Sequence, residues 1–142
     1  MDTSTHRTDL DPAASRALQA APTGVGAAGE RLAATHLVAA DGLCLLACNW
    51  RLTGGELRGE LDLIAVDERR GVLVVCEVKT RRDADRFGGA VAAVSPRKRA
   101  KIRALTAAFL RDSERPFARV RLDLVAIDLG RHPTLTHLQG AL

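Results

Sequence analysis

Three residues of this 142-residue chain, Asp62, Glu77 and Lys79, have types and spacing suited to metal-assisted chemistry on a phosphate. In the run from Val72 to Lys79, strand alternation puts Val75, Glu77 and Lys79 on one face and Val74, Cys76 and Val78 on the other. A carboxylate and an ammonium then share a face, their backbones roughly 7 Å apart. In the preceding run, Asp62 likewise interrupts the apolar stretch Leu61 to Ile64. Ionised groups are costly to bury unless they are paired or hold a metal, so two acids on adjacent strands call for a cation. Carboxylate oxygens with no nearby His or thiolate suit a hard ion, Mg²⁺ or Mn²⁺, rather than zinc. With the Val78 carbonyl, Asp62 and Glu77 could hold an ion that polarises a phosphate and acidifies a water, while Lys79 orients that water or offsets developing charge. Taken singly, each residue reads as readily as half of an ion pair or a turn cap. The compound order D-x(n)-E-x-K behind two apolar strands is what points to a site.

Those strands need neighbours. Residues 1 to 23 lack a sustained period and read as a mobile tail, with at most one helical turn near Ser15 to Ala21; residues 24 to 142 read as a single domain. Gly24 to Ala40 has helical periodicity and ends at Asp41-Gly42. Glu30 shares a stripe there with Gly26, Ala33, Leu37 and Ala40, which aims it toward the same centre as a third acid and a supporting metal ligand. Leu43 to Leu52 reads as a strand, and Gly59 to Val66 with Val72 to Lys79 as an antiparallel hairpin. Thr80 to Val94 reads as a loop with room for a short helix, and Ser95-Pro96 as the N-cap and first residue of a helix reaching about Arg111. Val120 to Leu129 is a further strand, and the segment after His132 a weak edge strand. The order is α-β-β-β-α-β, an α/β domain with one mixed sheet flanked by helices.

The net charge is only +4, yet from Arg69 to Arg103 eleven basic residues face three acids. Such a stretch attracts polyanions and equally describes a solvated surface. Arg81 and Arg82 follow the strand of Glu77 and are candidates to clamp a nucleic-acid backbone, or simply to keep a loop soluble. Lys98 and Lys101 open the second long helix in a run without acids; an anionic partner would relieve their unfavourable place at the helix N-terminus, and a solvated face is the other reading. Aromatic residues are 3% of the chain, so nucleic-acid contact would rest on charge; Trp50 reads as core. Cys44, Cys48 and Cys76 lie in apolar segments without CxxC spacing and read as buried, reduced thiols. His6, His36, His132 and His137 are scattered and suggest no histidine metal site. No apolar run nears the roughly 20 residues of a membrane span, and no signal peptide is apparent, so a cytoplasmic protein without a membrane partner is expected.

Gly29-Glu30, Asn49-Trp50-Arg51, Gly59 to Ile64, Glu77 to Arg81, Phe87-Gly88 and Arg121 to Val125, in that order, resemble the sequence blocks of the YraN-like family of uncharacterised bacterial proteins. The resemblance spans about Gly24 to Leu129. That family is similar in turn to Holliday-junction resolvases and other endonucleases of the restriction-endonuclease-like PD-(D/E)XK fold. The resemblance implies a metal-dependent nuclease ancestry, with Asp62, Glu77 and Lys79 at the motif positions and Glu30 as the helical acid, and no established substrate. The reading taken from it is a Mg²⁺- or Mn²⁺-dependent endonuclease hydrolysing phosphodiester bonds of DNA, branched DNA included, or of structured RNA. Leu61 stands where the motif's proline usually does. By analogy with such resolvases a homodimer is plausible. The alternative is a nucleic-acid-binding or assembly module that keeps the fold without catalysis.

Overall fold

A computed structural model of the chain describes residues 4–82 and 94–142. Its elements run β1 (Thr5–Asp9), α1 (Pro12–Gln19), α2 (Val25–Ala39), β2 (Cys44–Arg51), β3 (Glu60–Asp67), β4 (Val72–Arg81), α3 (Pro96–Asp112), β5 (Arg119–Asp128) and β6 (Thr134–Leu138). The six strands form one mixed sheet in the order β1-β6-β5-β4-β3-β2. Only β4 and β5 pair in parallel, from Val72 beside Arg119 to Arg81 beside Asp128; α3 makes the crossover that a parallel pair requires. The expected α-β-β-β-α-β order is present as α2 to β5. The short helix expected between Thr80 and Val94, and the Phe87-Gly88 pair, fall on residues 83–93, outside the described residues.

Helices cover both faces, which explains why β3 and β4 are near-continuous apolar runs and not simple alternations. One face packs Leu63, Ala65, Val74, Cys76, Val125 and Ile127 against Leu18 of α1 and Ala28, Ala33 and Leu37 of α2. The other packs Ile64, Leu73, Val75, Leu124 and Ala126 against Ile102 and Leu105 of α3. Trp50 joins this second layer edge-on to Phe109, ring centroids 5.4 Å apart, in the core role expected of it. Local chemistry sets the joints. Asp67 Oδ1 accepts the N–H groups of Arg69 and Arg70 to close the β3–β4 hairpin. Ser95 Oγ accepts the Lys98 N–H at 3.1 Å and Pro96 takes the first position of α3, as the Ser-Pro pair indicates.

The amino-terminal segment departs from the tail reading. Thr5 to Asp9 pairs along β6, from Thr5 beside Leu138 to Asp9 beside Thr134, so β6 lies inside the sheet and β1 forms the edge. Both faces of β1 are exposed, so it has no apolar alternation to betray it; its backbone pairing with β6 holds it on the sheet. Asp11 caps α1 by accepting the Ala13 N–H at 2.9 Å, and Leu18 is buried. The thiols also differ from expectation: Cys76 is buried, but Cys44 and Cys48 are exposed because β2 is the other edge strand.

The buried residues of α2 are Ala28, Gly29, Ala33 and Leu37; Gly26 and Ala40 are exposed and Glu30 lies at the margin, half-buried. Gly29 sets how closely α2 approaches β4. A Cβ added there would stand 2.0 Å from Thr80 Oγ1 and 3.2 Å from Thr80 Cβ. Gly29→Ala is therefore expected to destabilise the fold by about 1–3 kcal/mol through overpacking, although Ala is intrinsically the better helix former by about 1 kcal/mol. Combining it with Thr80→Ala removes the nearest clash and should recover most of the loss. Urea denaturation of the two single variants and the double variant measures the coupling; additive losses would show that the α2–β4 contact is not what selects glycine.

Candidate functional site

At the open end of the β3–β4 hairpin the ladder gives way. Pairing runs from Asp67 beside Val72 to Leu63 beside Cys76, and one step further Asp62 stands next to Glu77. There Asp62 Oδ2 accepts the Val78 N–H at 2.9 Å. The two acids are 8% and 4% exposed and hydrogen-bond to each other through their side chains. Asp62 and Glu77 thus converge from neighbouring strands.

Burial pushes Glu77 up to about 7, and the adjacent Asp62 charge adds to the rise against the pull of Lys98 and Lys79. Burial also raises Asp62, outweighing the Val78 N–H and its bond with Glu77. Two carboxylates so close resist ionising together. Near neutrality the pair is poised between one proton and none, and a cation would favour the fully ionised form.

Lys98 Nζ lies 3.5 Å from Glu77 Oε1, which brings α3 to the acids. Lys98, a candidate phosphate contact by sequence, is thus also a partner of the acid pair. Lys101 follows, its side chain packed over Gly59. Lys79 is half-buried and contributes a favourable charge to Glu77, as strand alternation requires. Arg81 is half-buried, with an Nη1 that has no hydrogen-bond partner among the described residues, whereas Arg82 is exposed.

Glu30 lies near enough to sense both Asp62 and Glu60. Burial raises its carboxyl first, then the Asp62 charge, while a hydrogen bond with Asn49 opposes both. It is not part of a tight cluster with the acid pair: among the described residues, the group of three or more potential ligands within 4.8 Å of one another is His36, Asp41 and His137. Asn49 was missed as Glu30's partner. Its φ of 51° places it in the left-handed region that Asn tolerates, a departure within β2 that an apolar pattern does not signal.

Asp62 and Glu77 offer only hard oxygen donors, the kind Mg²⁺ takes in ones and twos while keeping most of its water. Their donor chemistry fits such an ion without a contribution from Glu30.

The sequence model of the uncharacterised protein family UPF0102 matches residues 29–127, the stretch that holds Glu30, Asp62, Glu77, Lys79 and α3. The chain is 42% identical over 118 residues to a UPF0102 protein of Mycobacterium avium, covering 82% of this chain and 88% of that one. It is 44% identical over 118 residues to a UPF0102 protein of Mycolicibacterium smegmatis, with 82% and 90% covered. A UPF0102 protein of Mycobacterium tuberculosis is 42% identical over 121 residues, again with 82% and 90% covered. This chain belongs to the UPF0102, or YraN-like, family. No helix among the described residues is long and apolar enough to cross a membrane.

The acid pair gives the fold a characteristic response to pH. Glu77 rises from an ordinary 4.5 to about 7 on folding. A group raised in this way contributes stability that is complete below about pH 4.5 and is lost as pH climbs through about 7, on the order of 3 kcal/mol for this buried carboxyl. Glu77→Gln mimics the protonated state and should flatten the decline, leaving the variant more stable than the parent at pH 8. Urea midpoints at pH 5 and pH 8 for both proteins measure it. Equal pH slopes in parent and variant would mean that Glu77 is not strained by its surroundings.

Proposed function

We propose that this protein is a metal-dependent endonuclease of the PD-(D/E)XK type, acting on the phosphodiester backbone of DNA, branched DNA included. The observation that carries this reading is the convergence of Asp62 and Glu77 from adjacent strands, buried and mutually hydrogen-bonded, with Lys79 on the same strand face. The family resemblance supplies the motif to which these residues correspond, and the helix–strand order of α2 to β5 is compatible with that fold.

In this reading Asp62 and Glu77 hold a Mg²⁺ or Mn²⁺ ion, with Glu30 near enough to Asp62 to add a third negative charge toward the cation. When bound, the ion supplies Lewis acidity toward a phosphate oxygen. Lys79 presents an ammonium to charge that grows on the phosphate in the transition state. Lys98 keeps the pair company and is free to turn to the phosphate once a cation takes over its part in neutralising Glu77. Arg81, Arg82 and Lys101 hold the nucleic-acid backbone along the sheet end and the first turn of α3.

A second reading has its own support. Because Lys98 pairs with Glu77 at 3.5 Å, the acids have a cation within the protein itself, as a non-catalytic nucleic-acid-binding or assembly module keeping the fold would need. The two readings separate in one assay. Purified full chain with Mg²⁺ or Mn²⁺, incubated with labelled four-way, flapped and single-stranded DNA, is expected to cleave at least one of them. Asp62→Asn and Lys79→Ala should each lower that rate by about 100-fold or more while leaving salt-sensitive binding in place. Binding without cleavage by a folded parent would favour the second reading, and undiminished cleavage by Lys79→Ala would remove Lys79 from the mechanism.

A further inference from the structure

On the α2 face of the sheet, away from α3 and its Lys98, a second group of side chains comes together from three places in the sequence. His36 lies in the last turn of α2, Asp41 just past its end, and His137 in β6. Potential ligand atoms of all three lie within 4.8 Å of one another. The rings of His36 and His137 meet edge-on at 5.4 Å. His36 Nε2, Asp41 Oδ2 and His137 Nδ1 are all buried atoms without a hydrogen-bond partner among the described residues. A buried polar atom without a partner is costly, so three gathered together ask for something to satisfy them.

The surroundings fix which atoms are free. His137 is fully buried, and its Nε2 lies 2.8 Å from Asp123 Oδ2. Arg121 forks onto the same carboxylate, and the Gly140 N–H donates to Asp123 Oδ1 at 2.9 Å. Burial works against the Asp123 charge, but these hydrogen bonds from His137, Arg121 and Gly140 outweigh it and hold the carboxyl below its usual range. With Nε2–H donating to that anion, the Nδ1 lone pair of the neutral ring is left facing inward. There Nδ1 lies 2.9 Å from Asp41 Oδ2 without hydrogen-bond alignment, so neither atom satisfies the other. His36 is pulled toward its neutral form, first by burial, which leaves it able to offer a lone pair too.

We propose that His36, Asp41 and His137 bind a single divalent transition-metal ion of the zinc class, at a site separate from Asp62 and Glu77. Two imidazole nitrogens and one carboxylate oxygen are a donor set that zinc favours, with a fourth position for water. Zinc bonds of about 2.0–2.2 Å would set the donors near 3.4 Å apart, reached here by side-chain shifts on the order of 1 Å. The Asp123–His137 bond is the outer-shell carboxylate that orients a ligating imidazole, and Arg121 and Gly140 fix that carboxylate in turn. Asp41 also lines a cavity of about 760 Å³ bordered by Arg121 and Gly140. Bound there, the ion would tie the end of α2 and the turn before β2 to β6.

Isothermal titration of chelator-stripped full chain with Zn²⁺ at pH 7.5 tests this. One ion per chain is expected, with a higher melting temperature and, for Co²⁺ in its place, a visible d–d band lacking thiolate charge-transfer absorption. His36→Ala and Asp41→Asn should each weaken binding by about tenfold or more. Asp41→Asn sits on a half-buried turn and keeps the shape of the side chain, so it remains informative if His36→Ala folds poorly. Cys44→Ser with Cys48→Ser, and separately Asp62→Asn, should leave the stoichiometry at one. No binding to the folded parent, binding undiminished in Asp41→Asn, or loss with the cysteines would overturn the site; the single-proton alternative, an imidazolium between Asp41 and Asp123, predicts the first of these.

Discussion

Where β3 and β4 part, a side-chain oxygen takes the place of a main-chain one. Every buried N–H must find an acceptor, and beyond the Leu63–Cys76 pair the acceptor for Val78 is Asp62 Oδ2 at 2.9 Å. That single bond keeps a buried carboxylate in the middle of an apolar sheet, anchors it beside Glu77, and ends the antiparallel ladder while β4 continues in parallel beside β5 to Arg81. An apolar residue at position 62 would leave the Val78 N–H unsatisfied, and a longer acid would displace the oxygen from it. The acid pair is thus built into the hydrogen bonding of the sheet.

The electrostatic balance follows from that position. Asp62 and Glu77 are sheltered by Leu61 and Ile64 on one strand and Val75 and Val78 on the other, all buried, so the repulsion between two ionised forms is weakly screened. The chain answers with Lys98 across the gap and Lys79 two residues along. Ser95 and Pro96 make this possible, because they start α3 where its first turn overhangs the sheet end. The helix start is unfavourable for a lysine through the macrodipole, but the nearby carboxylate outweighs it. Capping of α3 and charge at the acid pair are one arrangement.

Much of this was legible in the sequence, for reasons that can be named. The runs of β3 and β4 were readable because burial on both faces demands continuous apolar residues, and the acids stood out because nothing else breaks those runs. Helix α3 announced itself through Ser95-Pro96, and Trp50 through its apolar company. What escaped was held by contacts rather than by pattern. Strand β1 has no buried face, so its pairing with β6 leaves no period; β6 looked like an edge only because its partner is invisible to periodicity. Cys44 and Cys48 looked buried because an apolar strand was taken to be covered, and β2 is an edge. The pairing of Lys98 with Glu77 stayed hidden because sequence spacing cannot show which way a helix start leans. His36 and His137 lie a hundred residues apart in the chain, and only the order of the sheet puts them together.

The two polar clusters illustrate opposite solutions to burying charge. At Asp123, each oxygen of the carboxylate meets donors from Arg121, His137 and the Gly140 N–H, and the group stays ionised with no exposure at all. At Asp62 and Glu77 the donors are fewer: one N–H, one lysine at 3.5 Å and each other. A fully matched carboxylate gains little from a further cation, whereas an under-matched pair gains much, because an added positive charge removes a repulsion as well as forming bonds. Equal burial therefore does not imply equal purpose. Asp123 has the environment of a residue that holds others in place, while Asp62 and Glu77 keep a mutual repulsion that a further positive charge would relieve.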